Sequence, residues 1–154
     1  MEEYIDLFEK VIAKTSSHVD YIDIRAGAGN ATSILMKDSN VDEINTGMSL
    51  AATVRVLNNG AWGFAYTTEL SKIDEITNTA IKFSNSLKGD VKLSETDIIK
   101  DKIAVDVKIP FKDISIEVKK DIMKQANDAA YIDKVNSTTV SYGDSEVNSL
   151  FMNS

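Results

Sequence analysis

The stretch MSLAATVRVLNNGAWGFAY, residues 48–66, decides the fold. Leu50, Ala52, Val54 and Val56 alternate with Ala51, Thr53 and Arg55, the period of two that a half-buried strand requires. Asn58-Asn59-Gly60 follows, and Asn-Gly accepts the positive φ angles of a tight type I′ hairpin turn. Ala61–Tyr66 is then the returning strand. Trp62, Phe64 and Tyr66 share one face of it, where they form a candidate partner or peptide contact; an aromatic platform for nucleic acid is the other use such a row serves.

Upstream, Tyr4, Ile5, Phe8, Val11 and Ile12 recur at helical spacing, so residues 2–17 form an amphipathic helix. Asp20–Ala26 alternates as a strand. Gly27-Ala28-Gly29-Asn30 reads as a turn, Thr32–Lys37 as a second strand, Asp38-Ser39-Asn40 as another turn, and Val41–Asn45 as a short strand that Gly47 breaks. Downstream, Ser71 and Asp74 have capping-box spacing ahead of a helix carrying Ile73, Ile76, Ala80, Phe83 and Leu87, with Gly89 at its C-cap. Asp90–Lys108 is an extended connection with an edge strand at its end. Pro110 marks a boundary, and Asp113 caps a third helix carrying Val118, Ile122, Ala126 and Ala129. Val135–Tyr142 and Glu146–Asn153 form a strand pair around Gly143-Asp144. The sum is an α+β fold: an antiparallel meander of about five strands plus a C-terminal strand pair, packed with about three helices.

Composition narrows the function. The chain has 154 residues, 24 acidic and 17 basic, for a net charge of −7. That field repels phosphate backbones, and no basic run offsets it, which argues against direct nucleic-acid binding. There is no cysteine, so thiolate chemistry and Cys-ligated metals are excluded. The N-terminus lacks the basic start and apolar run of a signal peptide, and no stretch approaches the roughly 20 apolar residues of a membrane span. A cytoplasmic protein is expected.

Motifs for chemistry are sparse. His18, the single histidine, reads as a polar residue of the helix-to-strand turn, not a base or a metal ligand. Gly27-Ala28-Gly29 lacks the third glycine and the following helix of a dinucleotide loop. Residues 38–42 lack the glycine and glutamate of a calcium loop. The carboxylate pairs Asp20/Asp23, Asp42/Glu43 and Asp74/Glu75 read as solvated faces in so acidic a chain. No catalytic, cofactor-binding or metal-binding residue is assigned.

The segment Val41–Leu70, with Val54-Arg55-Val56 leading into Asn59-Gly60-Ala61-Trp62-Gly63-Phe64-Ala65, resembles the N-terminal domain of the TldD/PmbA family, the modulator of DNA gyrase proteins. The Leu70-Ser71 opening of the next helix and the closing segment Val140–Ser154 extend the resemblance over most of the chain. The Gly-Ala-Trp-Gly-Phe form resembles the TldD branch more than the PmbA (TldE) branch. The resemblance implies a zinc metallopeptidase acting on unfolded peptides, working as a TldD–TldE pair, with its HExxxH helix in a C-terminal domain beyond residue 154. It implies a single N-terminal domain of a longer protein, inactive alone, that scaffolds, pairs subunits or guides peptide. Self-association through an exposed edge is a further expectation. A stand-alone binding or adaptor module, or a PmbA/TldE-type non-catalytic partner, is the alternative. A DNA-topology modulator rests on the family's older name alone.

Overall fold

The computed structural model describes residues 1–154. Three α-helices and four strands follow one another as α1 (Ile5–Thr15), β1 (Tyr21–Lys37), β2 (Asn40–Asn58), β3 (Ala61–Thr67), α2 (Ile73–Ser86), α3 (Ile116–Ala130) and β4 (Thr139–Asn153), with single 3-10 turns at Glu2–Tyr4, Leu70–Lys72 and Phe111–Asp113. The strands form one antiparallel sheet in the order β3-β2-β1-β4. The α+β class holds, with four strands in place of the expected seven.

The difference in count has one cause. Gly27–Asn30 does not turn the chain and Gly47 does not break it; β1 and β2 run straight through both. Val135–Tyr142 and Glu146–Asn153 are likewise not a pair but parts of the single strand β4 and the loop before it. Glycine lowers strand propensity without forbidding extended backbone, and ladder hydrogen bonds to long neighbours outweigh that loss. Both two-residue hairpins have the backbone that the right-handed twist of the strands demands: Asp38 and Ser39 (φ 47° and 67°), and Asn59 and Gly60 (φ 49° and 73°), all lie in the left-handed region. In the second hairpin Val54 pairs with Ala65, Arg55 with Phe64 and Leu57 with Trp62.

The chain packs as two compact units, one of residues 1–29, 49–96 and 147–154, the other of residues 30–48 and 97–146. In the first, Phe8, Val11 and Ile12 of α1 and Ile73 and Ala80 of α2 bury against Ile22, Ile24, Ala52, Val54 and Val56. The α2 stripe is Ile73, Thr77, Ala80 and Ser84, while Phe83 and Leu87 are exposed. Small residues let α2 lie close on β3, and the Thr77 and Ser84 hydroxyls donate to the carbonyls of Ile73 and Ile81 at 2.7 and 2.9 Å, so neither is buried unpaired. No side chain caps α2: Ser71 belongs to the preceding 3-10 turn. Gly89 is not a C-cap either. The helix ends at Ser86 with Leu87 extended, and Gly89 instead lies against Gly60, where a Cβ would come within 2.0 Å of the Gly60 carbonyl oxygen.

In the second unit Ile34 and Met36 pack with Met123 of α3. Here the expected stripe is one residue out of phase. Val118 and Ile122 face solvent, and Lys119, Met123 and Asn127 are buried. Ser115, not Asp113, caps this helix, its hydroxyl accepting from the Val118 N–H. Asn127 ties the helix to the β1–β2 turn, donating to the Ser39 hydroxyl at 2.7 Å and accepting from the Ser39 N–H and the Thr138 hydroxyl. The polar contacts of α3, more than its hydrophobic count, set which face turns inward. Residues 88–107 carry no regular structure, and the expected edge strand does not form there; Ile103 and Val105 are exposed.

Candidate functional site

The first unit presents a sheet face on which β3 alternates. Ala61, Gly63 and Ala65 turn toward α2, and Trp62, Phe64 and Tyr66 turn the other way. Phe64 is 52% exposed and Tyr66 70%. Trp62 is partly covered by Tyr21, edge-on at 5.9 Å between ring centroids, and the Arg55 guanidinium lies 5.1 Å from its ring centre. The candidate contact residues therefore do share a face, and two of them are open.

Beside them lies a group that the sequence reading passed over. Asp23 is fully buried, contrary to its reading as part of a solvated acidic face. Both of its oxygens accept from Arg55: Nε at 3.1 and 3.0 Å and a terminal nitrogen at 2.6 Å. The Asp23 carboxylate that accepts these hydrogen bonds holds the Arg55 guanidinium above its ordinary pKa. The Arg25 Nε stands 3.9 Å from the same carboxylate, and its guanidinium lies 4.6 Å from the centre of the Phe151 ring. Burial raises the Tyr21 hydroxyl pKa. The available signal was composition: Arg25 and Arg55 are the only arginines in the chain.

The second unit contains a buried ion pair. Lys119 Nζ lies 2.7 Å from Asp144 Oδ2, which also accepts the Tyr142 hydroxyl proton at 2.6 Å, while Asp144 Oδ1 has no hydrogen-bond partner. Burial pushes the Asp144 carboxyl up, but the Lys119 and Tyr142 hydrogen bonds outweigh it and hold it below the ordinary value. The same carboxylate pushes the Tyr142 phenol up to about 12. A shallow, open hollow of about 320 Å³ in this unit is lined by Asn30, Ala31, Thr32, Thr46, Gly47 and Met48, and no titratable side chain enters it.

The remaining sequence candidates are dispersed. His18 is exposed in the α1–β1 turn, as read. Asp20, Asp42 and Glu43 are exposed, and Asp74 is an exposed partner of Lys14 at 3.2 Å. Asp38 serves a turn, its carboxylate accepting from the Thr138 N–H at 2.8 Å.

What the first unit defines is an α+β layer, with α1 and α2 packed on its strands and a partly open aromatic row of β3 turned away from α2. Residues 22–83 match the PmbA/TldA metallopeptidase domain 1. Over all 154 residues the chain is 40% identical to a metalloprotease of Methanothermobacter thermautotrophicus, of which it spans 34%. It is 33% identical over 139 residues (86% of this chain, 31% of the relative) to a metalloprotease of Methanocaldococcus jannaschii. Among solved structures, a Bacteroides thetaiotaomicron protein carrying the modulator-of-DNA-gyrase name shares the fold at a TM-score of 0.80 and 15% identity, over 99% of this chain and 37% of that one. TldE of Thermococcus kodakarensis shares it at 0.62 and 19%, over 94% and 36%. The chain belongs to the PmbA/TldD family. It spans about a third of the length of the curated relatives it matches. No helix is long and apolar enough to cross a membrane.

The family implies zinc, and the residues here do not fit it. No three His, Asp or Glu side chains converge to hold a metal ion, and the one histidine stands apart in its turn.

Proposed function

We propose that this chain is the N-terminal, non-catalytic domain of a TldD-like zinc metallopeptidase that processes unfolded peptides in the cytoplasm. The carrying observation is the 40% identity along the whole chain to a metalloprotease of which it spans 34%. In this reading the zinc and the hydrolytic residues lie in the two thirds of the relative that this chain does not span. The domain's part is then scaffolding, pairing with a TldD- or TldE-type subunit or a second copy, or guiding peptide. Trp62, Phe64 and Tyr66 supply the contact face, since exposed aromatics beside arginine make up the usual anchors of protein interfaces. The net charge of −7 argues against direct DNA binding.

The test is to read the gene beyond codon 154 and assay the longer product for bound zinc and for cleavage of an unfolded peptide. An HExxxH motif, stoichiometric zinc and chelator-sensitive cleavage are expected. A continuation without the motif makes the chain a TldE-type partner, and a stop codon at 154 makes it a stand-alone binding module; either result withdraws the peptidase assignment.

A further inference from the structure

The Asp23 cluster holds more positive charge than it uses. One buried carboxylate faces two guanidinium groups, so the trio Asp23, Arg25 and Arg55 carries +1 while the rest of the chain, at −7 overall, carries −8. Asp23 is saturated by Arg55, which spends its Nε and one terminal nitrogen on it. Arg25 reaches the same carboxylate only through Nε at 3.9 Å, and its side chain is 61% exposed. Its terminal nitrogens make no hydrogen bond within the chain, so a two-pronged donor is presented to the outside. Both guanidinium planes are held by rings, Arg25 over Phe151 and Arg55 over Trp62. A cation fixed in this way loses little side-chain entropy when it binds, and a planar fork matches the two oxygens of a carboxylate.

We propose that Arg25, steadied by Phe151 and backed by the Asp23–Arg55 pair, is a carboxylate-receiving site through which this sheet face docks an acidic polypeptide segment of a partner subunit. Charge complementarity carries the choice of occupant. The site is the one place where the chain's arginines gather, and the surplus of Asp and Glu everywhere else means that a second copy of this chain brings the matching group. The exposed Phe64 and Tyr66 of the same face border it with apolar contact area. The proposal rests on the reading of this face as a contact surface and not on the peptidase assignment.

The experiment uses the 154-residue chain and its single tryptophan, Trp62, which stands against Arg55. A capped hexaglutamate peptide is titrated at low salt while Trp62 fluorescence is followed. A saturable change is expected, abolished at about 0.5 M salt. Arg25→Gln should weaken it about fivefold or more, with unchanged circular dichroism and melting temperature, because the side chain is on the surface. Arg25→Lys should restore part of it, since an ammonium keeps the charge but not the fork. Lys14→Gln, an exposed cation on α1, should leave it unaltered. No saturable change with hexaglutamate, an undiminished response in Arg25→Gln, or a stronger response to an oligothymidylate of equal charge would each overturn the proposal, the last by making the face a phosphate surface. Zinc and cleavage assays on the longer product are independent of all these outcomes, so the peptidase reading stands or falls separately.

Discussion

Gly63 is where α2 meets β3 with no room to spare, and Gly63→Ala measures how much of the first unit depends on that approach. A Cβ built on Gly63 would lie 1.8 Å from the Ala80 carbonyl oxygen and 2.6 Å from the Ser84 nitrogen. Both are backbone atoms of a helix, so neither can swing aside. Restoring an ordinary contact of 3.4 Å requires α2 to retreat by about 1.6 Å. A gap of even 0.5–1 Å forfeits roughly a quarter to a half of the dispersion well, and the face that retreats is the buried one of Ile73, Thr77, Ala80 and Ser84. The loss is then of the size of a large-to-small core substitution, about 3–5 kcal/mol. The lower chain entropy of alanine in the unfolded state returns about 0.4–1 kcal/mol. The net is about 3 kcal/mol, or a melting temperature lower by about 10 °C for a chain of this size. Gly47→Ala is the control: nothing lies within 4 Å of its added methyl group, and it should be neutral or slightly stabilising. Thermal and urea unfolding followed by far-ultraviolet circular dichroism give both numbers. A Gly63→Ala melting temperature within about 2 °C of the parent, or an equal fall in Gly47→Ala, would refute the reasoning.

Lys119→Met strands the Asp144 carboxylate, which is nine-tenths buried, and should destabilise the protein by about 3 kcal/mol in urea titrations, with Lys119→Met/Asp144→Leu recovering most of it. In the parent, Asp144 has its folded pKa depressed, so its contribution is present above the ordinary carboxylate value of 3.8 and is lost as pH falls through the lower folded value. Tyr142 has the opposite sign. Its folded pKa, raised from 10.0 to about 12, means a contribution fully present below pH 10 and lost as pH rises through about 12. Phenolate absorbance should show an ionisation near 12 that Tyr142→Phe removes. On α3, Ile122→Asp should change stability by no more than about 0.5 kcal/mol because Ile122 is 54% exposed, while Met123→Ala, at 2% exposed, should lower it by about 2–4 kcal/mol; equal effects in the two variants would contradict the observed helix phase.

Several elements were legible because their causes are local. Asn59-Gly60 needs two consecutive positive φ angles that few other residue pairs accept, so the β2–β3 hairpin was written in two letters. The stripe of Phe8, Val11 and Ile12 announced α1, and the period of two placed Trp62, Phe64 and Tyr66 on one face. The absence of cysteine excluded thiolate chemistry on composition alone. The candidate contact face was thus half visible: its aromatics could be read, its arginines could not.

The rest was decided by partners far away in sequence. Glycines that end strands in isolation are carried through β1 and β2 by the ladder beside them, so seven expected strands became four. Asp23 had the parity of a solvated residue until Arg55, 32 positions on, covered it and allowed it to be buried. On α3 the apolar stripe favoured Val118 and Ile122, but an ion pair to Asp144 and the grip of Asn127 on the Ser39 turn outweighed it and rotated the helix by one residue. Local conformational preference, of about 1 kcal/mol or less per residue, fixes turns and periodicity from the sequence alone. Which face is buried, and which charges are brought together, follows from desolvation and pairing energies several times larger, and those exist only once the distant segments have met.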